Sequence, residues 1–501
     1  MRNAGYGSLI CASMLATGLS ACALPSAEHG ANVEAAAQSD TPVAQPVFAD
    51  ISRPNILVIL ADDLGYPDVS AYNSGAYPTP NIDRLASTGV AFTNGYVAAS
   101  VCAVSRAGLL TGRAPASFGF TYNITENRPA DANAGIPTSV ETIAERLQRQ
   151  HYNTAAFGKW HLGTQAEYYP TNRGFDEFFG FLAGESIYAD PDTPGLVTTP
   201  TKDGRKEIEL RHGNHRLFEG AARQPVAIPH RYLTFEITGR TLDFIDRSAD
   251  KHEPFFAYAA YNAPHWPLQV PQEYYDRVSH IKDPVRRTYV AMIAALDHDV
   301  GRLLDRLEER GLRDNTMIVF LSDNGCPDFL GFCDNSNPFG SGKFTYLEGG
   351  TRVPFILSWP AGLHRQGKVD TPVSSLDLAP TIMAAASPEG APFTTDGENV
   401  VPMLAGDTMD NRDLFWSQAP VSAIRHGRYK LWHSQDWNET RLFDLAEDPW
   451  ERTDVSARHP EIRATLQERL RDYNDTLPEP LWPLHGTRKV TIAGRETEWV
   501  H

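Results

Sequence analysis

The chain has 501 residues, 42% hydrophobic and 21% charged, with a formal net charge of −17. That is globular composition with enough apolar residues for a large core, and it excludes a coiled coil, a collagen-like rod and a disordered chain. The acidic balance excludes a general nucleic-acid binder, which needs a basic face, but leaves room for an anion held by local Arg and Lys.

The chain opens with Arg2, an apolar stretch from Leu9 to Leu19, and Leu19-Ser20-Ala21-Cys22. A basic start, a short apolar core and small residues before a cut site make an export signal, and the apolar part is too short to span a bilayer. Leu-Ser-Ala-Cys is similar to a bacterial lipobox, in which the cysteine becomes the lipid-bearing new N-terminus. Residues 1–22 are therefore expected to be a signal peptide of lipoprotein type, with a plain cleaved signal as the alternative. The protein is expected to be exported to the periplasm or outer membrane of a bacterium, anchored through Cys22. Residues 23–52, rich in Ala, Pro, Gln and Ser without apolar period, read as a tether.

From residue 53 short apolar runs alternate with amphipathic stretches, the pattern of an α/β fold. Strands are expected at Asn55–Leu60, Tyr152–Phe157, Phe255–Tyr261 and Thr316–Leu321. Helices are expected over 82–86, Ser139–Gln150, Thr238–Arg247 and Tyr289–Arg310, the last stopped by Gly311. After about residue 400, Ala423–Trp432 and Thr440–Leu445 read as adjacent antiparallel strands, and His459–Asn474 as a terminal helix. The expected organisation is a main domain over 53–400 and a smaller α+β subdomain over 401–501, built on an antiparallel sheet.

Ligands of open α/β sheets bind beyond the carboxyl ends of the strands. Here those ends read Ala61-Asp62-Asp63, Gly158-Lys159-Trp160-His161, Asn262-Ala263-Pro264-His265 and Ser322-Asp323-Asn324-Gly325. Asp62, Asp63, Asp323 and Asn324 offer only oxygen ligands, a set suited to a hard cation and favouring calcium over magnesium. Each Asp taken alone is equally a helix cap or turn residue. The segment Val101-Cys102-Ala-Val-Ser105-Arg106 leads into Leu109-Leu110 and a Gly112 stop. Cys102 is thus expected at a helix start, where unpaired N–H groups and the helix dipole favour anions. A thiol there is either a nucleophile of depressed pKa or a small buried residue.

In chain order, Ala61-Asp62-Asp63-Leu-Gly65, Thr79-Pro-Asn-Ile-Asp83, Cys102-Ala-Val-Ser-Arg106 with Leu109-Leu-Thr-Gly-Arg113, Gly158-Lys159-Trp-His161, Ala263-Pro-His265, Ser322-Asp323-Asn324-Gly325, Gly342-Lys343 and Glu348-Gly-Gly-Thr-Arg-Val-Pro354 resemble the motifs of type I sulfatases of the alkaline-phosphatase-like superfamily. The resemblance implies a large mixed, mostly parallel sheet sandwiched by helices. It implies hydrolysis of sulfate esters, expected on sulfated poly- or oligosaccharides, by a formylglycine that a maturation enzyme makes from Cys102. It implies calcium held by Asp62, Asp63, Asp323 and Asn324 with residue 102. Arg106 and Lys159 would position the diol and sulfate, His161 would contact the diol, and His265 and Lys343 would bind the ester and assist the leaving oxygen. Val104 departs from the pattern, since the family usually carries Pro or Ala at this position read by the maturation enzyme.

Two rivals stand beside this reading: a phosphonate or phosphodiester hydrolase of the same superfamily, and an inactive glycan-binding lipoprotein with an unmodified Cys102. Sugar contacts are expected among Tyr122, Trp266, His212, His215 and Arg216, although aromatic residues are usually packing and such His and Arg usually face solvent. With Cys11 in the signal, the remaining Cys326 and Cys333 of an exported chain are expected to form a disulfide between the acidic segment and Lys343.

Overall fold

The computed structural model describes residues 53–125, 133–200, 216–228, 231–333, 339, 341–387, 393–407, 409, 411–484, 487–492 and 495–500. Its frame is a ten-stranded sheet. In spatial order the strands are Gly367–Val369, Val90–Phe92, Phe355–Ser358, Thr316–Ser322, Asn55–Ala61, Phe255–Ala260, Asn153–Lys159, Glu177–Phe181, Leu217–Glu219 and Gln224–Val226. The five central strands, Thr316–Ser322 to Glu177–Phe181, run parallel. Antiparallel pairs flank them on both sides. The sheet is therefore large, mixed and mostly parallel in its middle, the alkaline-phosphatase-like arrangement the motifs imply.

The central strands are apolar on both faces because both are covered. Along Asn55–Ala61, Ile56, Val58 and Leu60 enter one hydrophobic cluster, while Leu57, Ile59 and Ala61 enter the other. The period of two sends alternate side chains to opposite faces. Helices Leu233–Lys251 and Pro284–Glu309 bury their apolar stripes in the second cluster.

Helix bounds differ from the apolar period where caps decide them. The helix expected from Ser139 begins at Ile143, because Thr142 and Glu145 form a capping box there. The helix expected from Tyr289 begins at Pro284, with the Asp283 side chain accepting from Arg286 N–H at 2.9 Å. The stretch expected as Thr238–Arg247 extends to Leu233–Lys251.

The C-terminal sheet has four antiparallel strands, Asp413–Gln418, Val421–His426, Tyr429–Ser434 and Glu439–Asp444. Ala423–Trp432, expected as one strand, is a hairpin that turns at Gly427, whose φ of 56° suits glycine. Helix Pro460–Asp475 covers one face, with Leu466 and Leu470 against Ile424, Leu431 and Leu442. The other face sends Trp416, Ala423 and Trp432 into the main core, and Trp416 Nε1 donates to Val97 O at 2.8 Å.

A buried ion cluster also ties this sheet to the body. Lys430 Nζ lies 2.9 Å from Glu348 Oε1 and 3.1 Å from Glu451 Oε1. Tyr96 OH donates to Glu348 Oε2 at 2.7 Å, and Glu348 N–H donates to Glu451 Oε2 at 2.6 Å. Cys326 and Cys333 are disulfide-bonded, with Cα atoms 5.7 Å apart. No helix among the described residues is long and apolar enough to cross a membrane.

Candidate active site

The four central strand ends deliver their polar residues to one edge. Asp62 N–H donates to Ala263 O at 3.1 Å and Asp323 N–H to Ala61 O at 3.0 Å, so the segments after three strands remain in register beyond the sheet. Gly158 has φ +105°, and a Cβ there would lie 2.0 Å from the Ala260 carbonyl oxygen. Only glycine lets the strand turn so sharply before Lys159. Asp63 itself takes φ +66°, and Tyr289 holds this kink, donating to Asp63 O at 2.8 Å and accepting from Gly65 N–H at 3.2 Å.

Cys102 opens helix Cys102–Thr111, every residue of which is buried, and Gly112 ends it in the left-handed region. Cys102 Sγ lies 3.0 Å from Lys343 Nζ and 3.5 Å from Asp62 Oδ1. Around it, Lys159 Nζ donates to Asp62 Oδ2 and Lys343 Nζ to Asp63 Oδ1, both at 2.6 Å. Arg106 donates from Nε to Asp323 Oδ2 at 2.8 Å and from Nη1 to Lys159 O at 2.9 Å. Asn324 Nδ2 donates to Asp63 Oδ1 at 2.7 Å. His265 Nδ1 bonds to the Trp266 carbonyl, leaving Nε2 3.6 Å from Asp63 Oδ2. Asp62, Asp63, Cys102, Arg106, Lys159, His161, His265, Asp323, Asn324 and Lys343 are all buried, and they form one site of three carboxylates facing three permanent or near-permanent cations.

Electrostatics reverse one expectation. The thiol of Cys102 is pushed up to about 12, since burial and the charges of Asp323 and Asp62 outweigh Lys159 and Lys343. It is therefore not a thiolate of depressed pKa, despite its place at a helix start. Burial works to raise Asp63, but Lys343, His265 and Lys159 hold it at about 2. Burial and the neighbouring Asp62 push Asp323 up to about 6 against the pull of Arg106. Lys343 stays charged because Asp63 and the other acids overcome its burial. His265 is held down to about 3, by burial first, with Lys343 and Lys159 adding to it against Asp63, so its ring is neutral. His161 is lowered well below its usual range by burial and then by Lys159. Its Nε2 bonds to Ile124 O at 2.9 Å, while its Nδ1 is buried without a hydrogen-bond partner. That pairing fixes the proton on Nε2 and leaves Nδ1 an acceptor.

The donor set fits a hard cation. Asp63 Oδ2 and Asn324 Oδ1 are buried oxygens with no hydrogen-bond partner, a costly state unless another group completes them. Asn324 spends its Nδ2 on Asp63 Oδ1 and Gly325 O, so its carbonyl oxygen is the free atom. One ligand atom each from Asp62, Asp63, Cys102 and His265 lie within 4.8 Å of one another. Asp323, expected in this set, has Oδ2 committed to Arg106, while its Oδ1 accepts a long 3.3 Å bond from Asp63 N–H. The thiol is the one soft donor among hard oxygens.

The expected sugar contacts divide. Trp266 is 3% exposed and packs in the core behind the sheet, so its ring is not a platform for a sugar; its carbonyl serves His265 instead. Arg216 is exposed, and Tyr122 lines a surface pocket. His212 and His215 lie outside the described residues. Three contributors escaped the sequence reading. Asn123 Oδ1 accepts from Ala103 N–H at 3.0 Å beside Cys102, Ile124 carries His161, and Tyr258 stands buried on the sheet floor near Arg106 and Asp323. Nothing in the sequence marks Asn123 or Ile124, which act through a fold contact; Tyr258 was legible only as an alternating residue of its strand.

Fold and site together define a hydrolase-type centre for an anionic ester, with cations converging on one buried side chain at a sheet edge. The sulfatase family model matches residues 54–388, and that of the N-sulphoglucosamine sulphohydrolase C-terminal region matches 341–476. Human N-acetylgalactosamine-6-sulfatase is 32% identical over 77% of this chain and 72% of its own. Bovine arylsulfatase A is 32% identical over 81% and 83%. The solved structure of Ps i-CgsB is 33% identical with a TM-score of 0.77, over 86% of this chain and 95% of that one. The chain belongs to the sulfatase family and is a sulfuric ester hydrolase.

Proposed function

We propose that the protein removes sulfate from sulfated oligo- or polysaccharides, using a formylglycine derived from Cys102 and a calcium ion. The observation that carries this reading is the state of residue 102: a protonated, buried thiol surrounded by hard oxygen donors and three cations is poorly suited to act as it stands. The glycan substrate is supported by relatives: N-acetylgalactosamine-6-sulfatases match at 31–32% identity, and Ps i-CgsB has also been solved in complex with k-i-k-neocarrahexaose.

Asp62, Asp63, Asp323 and Asn324 would hold the calcium, which when bound supplies positive charge for the nucleophilic and sulfuryl oxygens. Lys159, Arg106 and Lys343 neutralise charge that builds on the sulfuryl group in the transition state. His161 Nδ1, fixed as an acceptor by the Ile124 carbonyl, takes a proton from the group at position 102. His265 enters as a neutral ring, and the anionic ester beside it favours its protonation, so that Nε2 donates to the leaving oxygen. His215 is kept as a proposed substrate contact. The protein would be exported and lipid-anchored through Cys22, and would meet a formylglycine-generating enzyme before folding.

Peptide mass spectrometry of residue 102, with a screen of the converted protein against defined sulfated oligosaccharides, tests the reading. The expected result is a formylglycine at 102 and release of sulfate from a sugar. A fully active protein with an unmodified thiol at 102 overturns the mechanism, and turnover confined to aryl phosphodiesters overturns the substrate.

A further inference from the structure

The surface holds a pocket of about 180 Å³ where the C-terminal sheet meets the segment after helix Cys102–Thr111. Its polar lining includes Tyr122, Ser417, Ser422, Gln435, Asn474 and Glu479. Among the described residues no Lys, Arg or His lines it, in contrast to the cation-rich active site. Hydroxyls and amides offer both donors and acceptors, and an aromatic side chain among them gives an apolar body with a polar tip. Asn474 is only half satisfied: Nδ2 donates to Ser422 Oγ at 3.2 Å, while the buried Oδ1 has no hydrogen-bond partner.

The pocket and the reacting centre share a wall. Asn123 and Ile124 touch Ala103 and His161, while Thr121 and Tyr122, immediately before them, line the pocket. A chain of sugar rings whose ester reaches residue 102 would meet the pocket by way of this one segment, residues 121–124. The described lining disfavours a second sulfate there: Glu479 is an acid, and none of the described lining residues would neutralise another anion.

We propose that this pocket is a subsite for an uncharged sugar ring next to the one that carries the scissile sulfate. The inference rests on the glycan reading above and adds a substrate class to it: glycans in which an unsulfated residue adjoins the sulfated one.

The test uses the full chain and two probes. Neocarrahexaose stripped of its ester groups, an uncharged hexasaccharide, is titrated calorimetrically into wild type, Asn474→Ala and Tyr122→Ala. Binding to wild type and a rise in Kd of fivefold or more in both variants is expected. Equal binding by all three folded proteins, or none by wild type, overturns the subsite. In the second arm, KM for the sulfated hexasaccharide should rise by the same factor with kcat changed less than twofold. Gln435→Lys, which places a cation in the pocket, should shift preference toward oligosaccharides sulfated on the neighbouring ring, and an unchanged preference counts against the charge argument. If wild type cleaves no sulfated sugar, the glycan reading fails, and the calorimetric arm still decides the pocket.

Discussion

Two buried charge clusters in this protein differ in what completes them. Around Lys430, two carboxylates are met by one ammonium: Glu348 Oε2 also accepts from Tyr96 OH and from Arg352 Nη1 at 3.4 Å, Glu451 Oε2 accepts a backbone N–H, and Glu451 Oε1 has its ion pair with Lys430 at 3.1 Å but no hydrogen bond. Around Cys102, three carboxylates and three cations also pair closely, yet Asp63 Oδ2, Asn324 Oδ1 and His161 Nδ1 stay without hydrogen-bond partners. In the first cluster every carboxylate oxygen still faces a protein donor or cation. In the second, Asn324 Oδ1 and His161 Nδ1 have none, and Asp63 Oδ2 has only His265 Nε2 at 3.6 Å. Burial and ion pairs are common to both, so neither marks function; the two clusters differ in the acceptor atoms left over, the three named at the site against the one beside Lys430.

The two clusters are expected to respond differently to loss of a lysine. Lys343→Ala removes a cation that reaches both Asp63 and residue 102, and turnover should fall by about 10³-fold, the scale of losing one preorganised group that stabilises developing charge. Initial rates on a sulfated sugar check it, and a loss below tenfold would erase the distinction. Lys430→Met leaves Glu348 and Glu451 buried without their cation and should cost about 3–5 kcal/mol of stability. Urea denaturation reads that cost. Adding Glu451→Gln to the same chain should recover part of it.

A metal sharpens the contrast. Calcium at about 100 times its Kd should stabilise the wild type by about 2.7 kcal/mol, more than magnesium does, with no such gain in Asp63→Asn. Thermal melting with and without chelator is the measurement.

The smallest expected effect concerns pH at the Lys430 cluster. Glu451 is raised to about 7, by burial and then by Glu348, against Lys430. Its contribution to stability is complete below the ordinary carboxylate range and is lost as pH rises through about 7. Glu348 is the opposite: burial would raise it, but Lys430, Arg352 and Arg425 hold it at about 2, so its contribution is lost only in strong acid. Between pH 5 and 8 wild type should lose roughly 1–2 °C more in Tm than Glu451→Gln does. Parallel curves for the two would place the titration elsewhere.

Much of the fold was legible because burial on both faces writes itself as unbroken apolar runs. Asn55–Ala61, Phe255–Ala260 and Thr316–Ser322 agree with the sequence reading to within a residue. The acids, cations and histidines placed after these runs do meet. What the sequence hid depends on distance in three dimensions. The pKa of Cys102 follows from burial and from Asp323 and Asp62, which no local pattern reports. Lys430 sits within a strand, where alternation suggests a solvent-facing side chain, and its partner Glu348 is 82 residues away. Asn123 and Ile124 reach the site through a loop without a motif. The hairpin at Gly427 was missed because an Arg-His-Gly-Arg turn between two apolar runs reads as one interrupted strand.

The Lys430 clamp has a bearing on timing. Glu348 begins the turn whose Gly350 carbonyl accepts Gly325 N–H at 3.0 Å, next to Asn324, and a Cβ on Gly325 would come within 1.8 Å of Gly349 O. The closed packing of that turn thus depends on a lysine made about 330 residues after Cys102. At about 5–20 residues per second, a ribosome leaves an interval of order 15–65 s between the two. Cys102 ends up only 2% exposed, out of reach of any enzyme that must grip it. Until Lys430, in the last fifth of the chain, has been made, the clamp on this turn cannot close.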